Sequence, residues 1–552
     1  MSPLETGEID YQTRPYVCGA IGAWTPDIIE RLRLSAPQDL REVHRSDGIA
    51  LYATGKLEEW RSNGDHGYIW GDLATASMTD SWRSAADGRM AAGVQISNEH
   101  SILHTDSLGF QDVYYRQIGR AVYFSVRIDA LIRLTDALLS TDWHAWANTL
   151  AITTPLGIQT PFKEIRRMAA ATAWSTCDSG VELVSFQPGW QNVEPTGGVE
   201  PAEAIQVIAD RIPKSNRLGI TLSGGWDSRL LAILGKRRAD QLVAWTTSND
   251  DGRDRDIEFA KSVAESLGLE HEVLVPGAEA WLDEQNIVRQ RTGFQTTHHT
   301  WIMPLARQLH QRPERFLDGL AGDVLFKNLF VTNEIAKTSG KVERNRLLWN
   351  SLEIRRARQA DLLAPGLAAR FEEASRNSYL DSVRQFDDHP AAATLAVLHT
   401  RTARAIASSP LWLVGPETNV ILPFVAPEVL ATALRIPIGD KVGGTFYRQM
   451  LEAADLATAS LPSTNDTRPV GARGARRQES PKALHAIANT ILDCDTTYQL
   501  LSPQMRSAIK SPSGLQLVGS TTGGLKMLHW ASLLAEWRAT YRDVLSDDAI
   551  EL

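Results

Sequence analysis

The stretch RLGITLSGGWDSRLLAILGKR, residues 217–237, decides the fold of this 552-residue chain. Residues 217–223 form an apolar run typical of a buried strand, and residues 227–237 have the apolar spacing of a helix. The turn between them contains Gly224 and Gly225, where backbone amides can approach an anion because no Cβ is in the way. A strand, a glycine turn and a helix in this order predict an anion site at the N-terminus of the helix.

The segments around this stretch continue the alternation of helices and strands. We predict helices at 202–212 and 256–268 and strands at 241–247 and 271–275. This series predicts an α/β domain on a doubly wound parallel sheet, in which ligands bind at the carboxyl ends of the strands. The chain is predicted to be mostly helical from 327 to 410 and after 440, and these helices are expected to cover the sheet.

The first 190 residues have a different pattern, in which short strands are separated by Gly, Asp and Ser turns. The predicted strands lie at 67–72, 91–97, 101–106, 112–118 and 121–127. Such runs favour a sandwich of antiparallel sheets. The Pro- and Gly-rich segment 187–201 is the predicted linker, which divides the chain into domains 1–195 and 196–552.

The composition is that of an ordinary globular protein. Hydrophobic residues make up 43% and charged residues 22% of the chain, and the net charge of -9 argues against a general nucleic-acid binder. The cysteines, Cys18, Cys177 and Cys494, are too few for a disulfide framework and too scattered for a metal cluster. No stretch approaches the ~18 apolar residues of a membrane span. We therefore expect a cytoplasmic protein without nucleic-acid or membrane partners.

An acidic residue, Asp227, stands inside the anion-binding turn that runs from Ser223 to Ser228. A carboxylate at this position requires a divalent cation between itself and bound phosphates, which is how Mg²⁺ usually accompanies nucleotides. The alternative is a tight turn in which Asp227 only caps the helix. The motif SGGWDS resembles the SGGxDS loop of the ATP pyrophosphatases, which cleave ATP to AMP and pyrophosphate. This resemblance implies adenylation rather than phosphoryl transfer.

A second motif, FLDGLAGDVLF at 316–326, runs from a strand into a Gly-rich turn and an acidic residue. It resembles the LSGEGSDELF segment of asparagine synthetases and β-lactam synthetases, and the resemblance places Asp323 at the second magnesium carboxylate. Leu320 stands where asparagine synthetases have Glu and β-lactam synthetases have Tyr. Lys327 and Asn328 replace the usual Gly-Gly. The amine-side chemistry is therefore expected to differ from that of both relatives.

The resemblance to the asparagine synthetase superfamily implies further site residues. Segment 415–441 resembles the GVEARVPFLD segment and its downstream lysine, which makes Lys441 the predicted cation at the α-phosphate. Segment 461–474 resembles a flexible loop of the family, with Arg468 and Arg473 as substitutes for its missing lysine. The predicted nucleotide contacts, for ATP, are Leu222, Ser223, Gly224, Gly225, Asp227, Ser228, Thr246 and Gly319. The predicted catalytic residues are Asp227, Asp323, Lys441, Arg468 and His399, and the predicted metal ligands are Asp227 and Asp323.

His399, Arg401 and Arg404 are predicted to lie on one helix, one or two turns apart. Charged groups on the equivalent helix of the family face the acyl-adenylate, so the resemblance implies the same position for these three side chains. The alternative is that they are surface residues or polar residues satisfied within the core.

The N-terminal half resembles the glutaminase domain that precedes the synthetase domain in this family, through segment 106–132. That glutaminase uses a cysteine at the mature N-terminus, whose α-amino group acts as the base. Cys18 lies in a similar CGAIG sequence but is preceded by 17 residues. No NGE segment for glutamine binding stands between 60 and 80. We therefore expect an inactive glutaminase-like domain that serves as a scaffold or docks the substrate.

Without an internal source of ammonia, the substrate is expected to supply the amine itself. Two branches of the superfamily fit: β-lactam synthetases and the macrolactam synthetases, or cyclases, of lasso peptide biosynthesis. Leu320, the long stretch between Asp323 and Pro423, and its basic segment 341–359, which we expect to wall a peptide cavity, favour the lasso peptide cyclase. On this hypothesis ATP and Mg²⁺ activate an Asp or Glu side chain of a leader-free core peptide, and the N-terminal amine of the peptide displaces AMP. A leader peptidase and a precursor-recognition protein are expected partners.

Other hypotheses make different predictions. A β-lactam synthetase-like or asparagine synthetase-like amide ligase would act on small molecules without a peptide. A degenerate binding module would keep its function after loss of Asp227.

Overall fold

A computed structural model describes most of the chain. The described residues are 14–74, 78–248, 254–310, 315–353, 361–465, 476–546 and 549–552. They form two antiparallel sheets, one parallel sheet and many helices. The predicted α/β class is confirmed.

The two antiparallel sheets contain the strands of the N-terminal half. These are β1 (Val17–Gly22), β2 (Arg41–Ser46), β3 (Ile49–Ala53), β4 (Glu58–Ser62), β5 (Asp65–Trp70), β6 (Ala92–Ile96), β7 (Ser101–His104), β8 (Tyr114–Ile118), β9 (Ala121–Ser125), β10 (Arg166–Arg167), β11 (Thr172–Cys177) and β12 (Gly180–Ser185). The first sheet has the order β10-β8-β9-β1-β3-β2, and the second has the order β12-β11-β7-β6-β5-β4. β1 packs against β7 and β11, so the sheets form a sandwich. The five strands predicted in this half are all present.

The parallel sheet contains β13 (Ser215–Thr221), β14 (Ala239–Thr247), β15 (Glu270–Leu274), β16 (Arg315–Leu317) and β17 (Asn419–Ile421). Its order is β15-β14-β13-β16-β17, and all neighbours are parallel. The chain runs outward from β13 in one direction and then returns to its other side, so the strand order reverses between β13 and β16. Ligands of doubly wound sheets bind at such a switch point, and both glycine-rich motifs follow these two strands.

Helices connect the strands and cover the parallel sheet, as predicted. The α-helices are Pro26–Leu34, Asp129–Ile132, Trp143–Ile152, Pro201–Asp210, Trp226–Lys236, Arg255–Leu267, Trp281–Arg291, Met303–Leu309, Gly322–Lys327, Asn333–Lys337, Lys341–Leu352, Leu367–Val383, Ala392–Val397, Pro427–Arg435, Ile438–Lys441, Thr445–Ala454, Leu456–Ala459, Pro481–Leu492, Asp495–Leu500, Pro503–Ala508, Pro512–Ser520 and Thr522–Thr540. Three π-helical segments are Ser84–Gly88, Leu398–Ile406 and Ser409–Val414. Short 3-10 turns lie at Gly189–Asn192, Ala278–Ala280, Thr300–Ile302, Arg384–Phe386, Pro423–Val425, Val442–Gly444 and Arg477–Glu479. In the described part of the chain, no helix combines the length and the apolar character needed to cross a membrane.

One hydrophobic core runs through both halves of the chain. The helix Trp143–Ile152 packs against Leu367–Val383 and Thr522–Thr540, and the Trp530 indole donates to the Trp146 carbonyl over 3.0 Å. The last strand of the sandwich ends at Ser185 and the next α-helix begins at Pro201. The two halves are thus joined over a wide surface, and the domain boundary at residue 195 stays a prediction.

Cys18 lies in the middle of the sandwich. It pairs with Tyr52 of β3 and Ser125 of β9, and its side chain is fully buried. Burial raises the pKa of the thiol well above its ordinary value, which lowers the fraction of reactive thiolate. The expected absence of glutaminase chemistry at this residue stays a prediction, but the thiol is poorly placed to act as a nucleophile.

Alkylation of the native protein with iodoacetamide is expected to label Cys177 and Cys494 and to leave Cys18 unmodified. Cys177 and Cys494 are partly exposed, whereas Cys18 is buried and its thiol stays protonated. Peptide mass spectrometry measures the labelling, and the same reaction in denaturant should label all three. Rapid native labelling of Cys18 would contradict the buried, inert thiol.

Candidate functional site

The first turn of the site, residues 223–228, follows β13, and hydrogen bonds of Ser223 and Ser228 close it. The backbone nitrogen of Ser223 donates to the Ser228 hydroxyl over 3.1 Å, and the two hydroxyls lie 3.0 Å apart. The backbone nitrogen of Gly225 donates to the Ser223 hydroxyl over 3.2 Å. A Cβ on Gly224 would lie 2.6 Å from the Thr464 side chain, so a larger residue does not fit without movement. The turn is therefore compact, and it leads directly into the following helix.

Leu222 and Thr246 join the ends of β13 and β14 beside this turn. The Leu222 nitrogen donates to the Trp245 carbonyl over 2.8 Å, and the Thr246 hydroxyl donates to the Leu222 carbonyl over 2.7 Å. Thr246 also lies 2.8 Å from Nε2 of His271. These bonds place both residues at the carboxyl edge of the sheet, while their contacts with a nucleotide stay predictions.

A second glycine-rich turn, after β16, packs against the first. Ala321 within it has a φ of 74°, a conformation that costs about 1–3 kcal/mol in residues other than glycine. A Cβ on Gly322 would lie 2.8 Å from Oδ1 of Asp227, and one on Gly319 would lie 3.0 Å from Cβ of Asp227. Because both positions lack a Cβ, the turn that carries Asp323 can lie directly on Asp227. The structure thus brings the two carboxylates together.

The two carboxylates interact in a mostly buried environment. Burial and the neighbouring Asp323 carboxylate raise the pKa of Asp227 well above its ordinary value. Burial also raises the pKa of Asp323, while the positive charges of Arg401 and Lys327 oppose this rise. Two adjacent acids repel each other when both are ionised, so the metal-free pair favours a shared or retained proton.

The chemistry of this pair fits a magnesium ion. The Tyr447 hydroxyl interacts with the Asp227 carboxylate and lowers its pKa, but the buried Oδ1 of Asp227 accepts no hydrogen bond of good geometry from the described residues, which leaves an oxygen for a cation. Within the described ranges, no three His, Cys, Asp or Glu side chains form a metal-binding group. Mg²⁺ needs no third protein carboxylate, since one or two carboxylates with substrate phosphates and waters usually hold it.

Lys327 and Arg401 supply positive charge to the site. Nζ of Lys327 lies 5.0 Å from the centre of the Trp226 ring and donates to Oδ1 of Asn465. The Arg401 guanidinium lies 4.8 Å from the centre of the Phe330 ring. Burial lowers the pKa of Arg401, and the negative charge of Asp323 partly offsets this effect. Lys327 is a site residue that the sequence motifs did not predict. Its spacing of four residues from Asp323, one turn along a helix, was the available signal.

A short strap, residues 461–465, crosses the first turn. The backbone nitrogen of Thr464 donates to the Gly224 carbonyl over 3.0 Å. The buried Arg229 guanidinium donates to the carbonyls of Leu461 and Pro462 over 2.8 and 2.7 Å. This strap is the described part of the segment predicted to be a flexible loop. Arg468 and Arg473, the predicted substitutes for its lysine, lie outside the described residues.

Three other predicted residues make their contacts elsewhere. Nζ of Lys441 donates to the Ala433 carbonyl over 2.9 Å, and burial lowers the pKa of this lysine to about 7. His399 stacks on Trp190 with ring centres 6.3 Å apart, and burial lowers its pKa to about 4. Arg404 donates to carbonyls of the N-terminal half. The structure does not show these side chains in contact with the carboxylate pair, and their catalytic roles stay predictions.

Replacement of Asp227 by Asn is expected to stabilise the metal-free protein at pH 8 by about 1 kcal/mol or more. The pKa of Asp227 is higher in the folded state than in the unfolded state. The wild-type protein therefore loses stability as the pH rises from the pKa of this carboxyl in the unfolded chain to its pKa in the folded protein. The variant lacks this loss, so the difference should shrink at pH 4. Urea unfolding at both pH values measures the effect.

Asp240→Asn is the matched control because Asp240 is an exposed aspartate at the start of β14. It should unfold like wild type at both pH values. A destabilised Asp227→Asn variant at pH 8 would contradict the repulsion between the two carboxylates.

Comparison with solved structures gives two matches of low identity. Glutamine phosphoribosylpyrophosphate amidotransferase from B. subtilis, complexed with ADP and GMP, is 11% identical over 55% of this chain and 75% of that chain, with a TM-score of 0.20. A structure described as the allosteric regulatory enzyme of purine biosynthesis is 9% identical over 49% of this chain and 76% of that chain, with a TM-score of 0.19. At these scores neither likeness carries an argument. No curated protein matches the chain.

The family model for asparagine synthase matches residues 205–493. The match spans just over half of the chain and includes both turns with Asp227 and Asp323. Enzymes of this family are ATP-dependent carbon–nitrogen ligases that form AMP and pyrophosphate, so the predicted enzyme class is confirmed. The strand order, the two turns and this match agree, and the chain belongs to the asparagine synthase family.

Proposed function

We propose that this ligase closes an amide bond within a peptide, as in lasso peptide biosynthesis. It would activate an Asp or Glu side chain of a leader-free peptide as its acyl-adenylate and close the ring with the N-terminal amine. The observation that carries this proposal is the position of Cys18, which is buried within β1 rather than presented as an N-terminal nucleophile. We infer that the domain releases no ammonia, and the amine would then come from the substrate itself.

Arg14, four residues before Cys18, is packed against the rest of the protein, which supports this proposal. The Arg14 guanidinium donates to the Leu411 carbonyl over 2.9 Å and to the Gln111 side chain over 3.0 Å. It also lies 4.2 Å from the centre of the Trp412 ring. Cleavage in front of Cys18 would remove these contacts, including those to Leu411 and Trp412 in the C-terminal half, so exposure of a catalytic N-terminus would cost stability.

The residues of the site suit adenylation. The turn from Ser223 to Ser228 would hold the phosphates of ATP with backbone amides and hydroxyls at a helix N-terminus. A carboxylate oxygen of the peptide attacks the α-phosphorus, and the bond to the pyrophosphate oxygen breaks. Lys327 and Arg401 would stabilise the negative charge that develops as pyrophosphate leaves. When bound by Asp227 and Asp323, Mg²⁺ would neutralise further charge on the phosphates.

The second step transfers the acyl group to the amine. The amine nitrogen attacks the acyl carbon, loses a proton, and displaces AMP. Leu320 is buried at the turn where relatives in the superfamily have Glu or Tyr, so it offers no polar group to a small amine. The chain would instead rely on positioning both ends of one peptide, since intramolecular closure gains much of its rate from orientation.

Pyrophosphate release with ATP and Mg²⁺ tests the proposed function. We expect release with leader-free precursor peptides, a product lighter by one water, and no release with aspartate plus ammonia. Asp227→Ala and Asp323→Ala should lower the rate by about 100-fold or more, because each removes a charge that holds the reacting phosphates. Asp240→Ala, an exposed aspartate on the same sheet, is the control and should retain activity.

Each alternative outcome has a definite meaning. Turnover of aspartate or of a small amino acid without peptide would contradict the peptide proposal and leave the ligase class intact. Full activity of Asp227→Ala would contradict the assignment of the site itself.

Lys327→Gln is expected to lower kcat for pyrophosphate release by about 10- to 100-fold, because one cation near the leaving group is lost. The exposed Lys337, in the helix Asn333–Lys337, provides the matched control Lys337→Gln. Steady-state kinetics with saturating ATP measures both variants. Equal rates for the two variants would exclude a role for Lys327 in charge stabilisation.

A further inference from the structure

The helix Thr445–Ala454 lies directly on the candidate site. Gly444, which precedes it, has a φ of 81°, in the left-handed region that favours glycine. A Cβ on Gly444 would lie 2.6 Å from the Trp226 ring. Because Gly444 has no side chain, the start of the helix can approach the first turn. The helix packs against the two helices that begin at the glycine turns, Trp226–Lys236 and Gly322–Lys327.

Tyr447, on this helix, brings a hydroxyl to the carboxylate pair. Its side chain is fully buried, and the centre of its ring lies 5.8 Å from that of Trp226 and 6.2 Å from that of Phe326. Trp226 directly precedes Asp227, and Phe326 lies three residues after Asp323. Packing on both turns therefore fixes the position of the tyrosine ring.

The Tyr447 hydroxyl interacts with the Asp227 carboxylate and favours its ionised form, against the larger effects of burial and of Asp323. Burial and the negative charge of Asp227 raise the pKa of Tyr447 well above its ordinary value, so the hydroxyl keeps its proton and can donate it. Among the described residues this hydroxyl forms no hydrogen bond of good geometry. No other group there competes with Asp227 for its proton.

A neutral donor suits a carboxylate that also binds a cation. An Arg or Lys paired directly with Asp227 would neutralise its charge and compete with Mg²⁺, whereas a hydroxyl orients the carboxylate and leaves the charge in place. Lys327 acts on Asp227 through its charge, while its Nζ donates to Asn465. Loss of a hydrogen-bond partner behind a metal ligand typically lowers metal affinity by about 10- to 100-fold.

We infer that Tyr447 is a positioning residue of the metal site, which holds the Asp227 carboxylate in place by a hydrogen bond while this carboxylate binds Mg²⁺. The inference rests on the metal site that the proposed function uses, but not on the peptide. It applies to any carboxylate that the ligase activates.

Binding of an ATP analogue to the full chain tests the inference. The probe is ATP with a methylene group in place of the α–β bridging oxygen, and isothermal titration measures its affinity with saturating Mg²⁺ and with EDTA. Tyr447→Phe should weaken binding by about 10-fold or more in Mg²⁺ and leave the affinity in EDTA unchanged. The reason is that the ring keeps its packing and only the hydroxyl is lost. Asp227→Ala should lose the effect of Mg²⁺.

Tyr379→Phe is the matched control. Tyr379 is also fully buried, and its hydroxyl also has no hydrogen-bond partner among the described residues. The centre of its ring lies 5.2 Å from that of Trp349, on helices that do not carry the two turns. This variant should bind the analogue like wild type in both conditions. A thermal melt of each variant confirms that it is folded.

The outcomes separate this inference from the proposed function. Wild-type affinity of Tyr447→Phe in Mg²⁺ would overturn the inference, and so would an equal loss with Mg²⁺ and with EDTA, which indicates a purely structural role. An equal loss in Tyr379→Phe, or no effect of Mg²⁺ on wild type, would also overturn it. If Tyr447→Phe weakens only the Mg²⁺-dependent binding but no peptide elicits pyrophosphate release, the inference stands and the proposed function falls.

Discussion

The burial of two neighbouring carboxylates is the constraint on which the candidate site depends. Asp227 and Asp323 come from turns after different strands, and they can approach only because Gly319 and Gly322 carry no Cβ. The parallel order of β13 and β16 places both turns at the same edge of the sheet. A site that raises the pKa of its own acids stores unfavourable energy in the metal-free protein. A cation with bound phosphates would offset this unfavourable energy. The same two carboxylates would thus lower the stability of the metal-free protein and provide ligands for nucleotide chemistry.

The N-terminal sandwich packs closely against the C-terminal half. Its hydrophobic core continues into the helices of the C-terminal half, and Arg14 and Arg404 reach across the junction through carbonyl groups. Cys18 is enclosed by strands on both sides. The sandwich fixes the position of helices in the C-terminal half through this packing.

The sequence was sufficient for features that depend on local chemistry. Strands β5 to β9 and β13 to β15 and the intervening helices were predicted because alternation, apolar runs and glycine turns are encoded within a few residues. Asp227 was found from its place in the glycine turn that follows a strand, whereas the role of Asp323 was predicted through the resemblance to known synthetases. The approach of one turn to the other was predictable only through the resemblance to known synthetases.

The remaining site residues depend on orientation, which the sequence does not specify. Lys441 has the spacing of a family lysine, but its side chain is turned into the core toward Ala433. His399 lies in a π-helical segment, Leu398–Ile406, whose wider turns change the face that each residue occupies relative to an α-helix. The motif gave no signal for Lys327 as a site residue, because the relatives have a glycine at this position.

The most direct test is a crystal structure with Mg²⁺ and an ATP analogue whose α–β bridging oxygen is replaced by a methylene group, because it requires no knowledge of the peptide. We expect the phosphates over the turn from Ser223 to Ser228 and a Mg²⁺ ion about 2.1 Å from carboxylate oxygens of Asp227 and Asp323. Phosphates bound away from this turn, or a metal ion that contacts neither carboxylate, would contradict this assignment of the site.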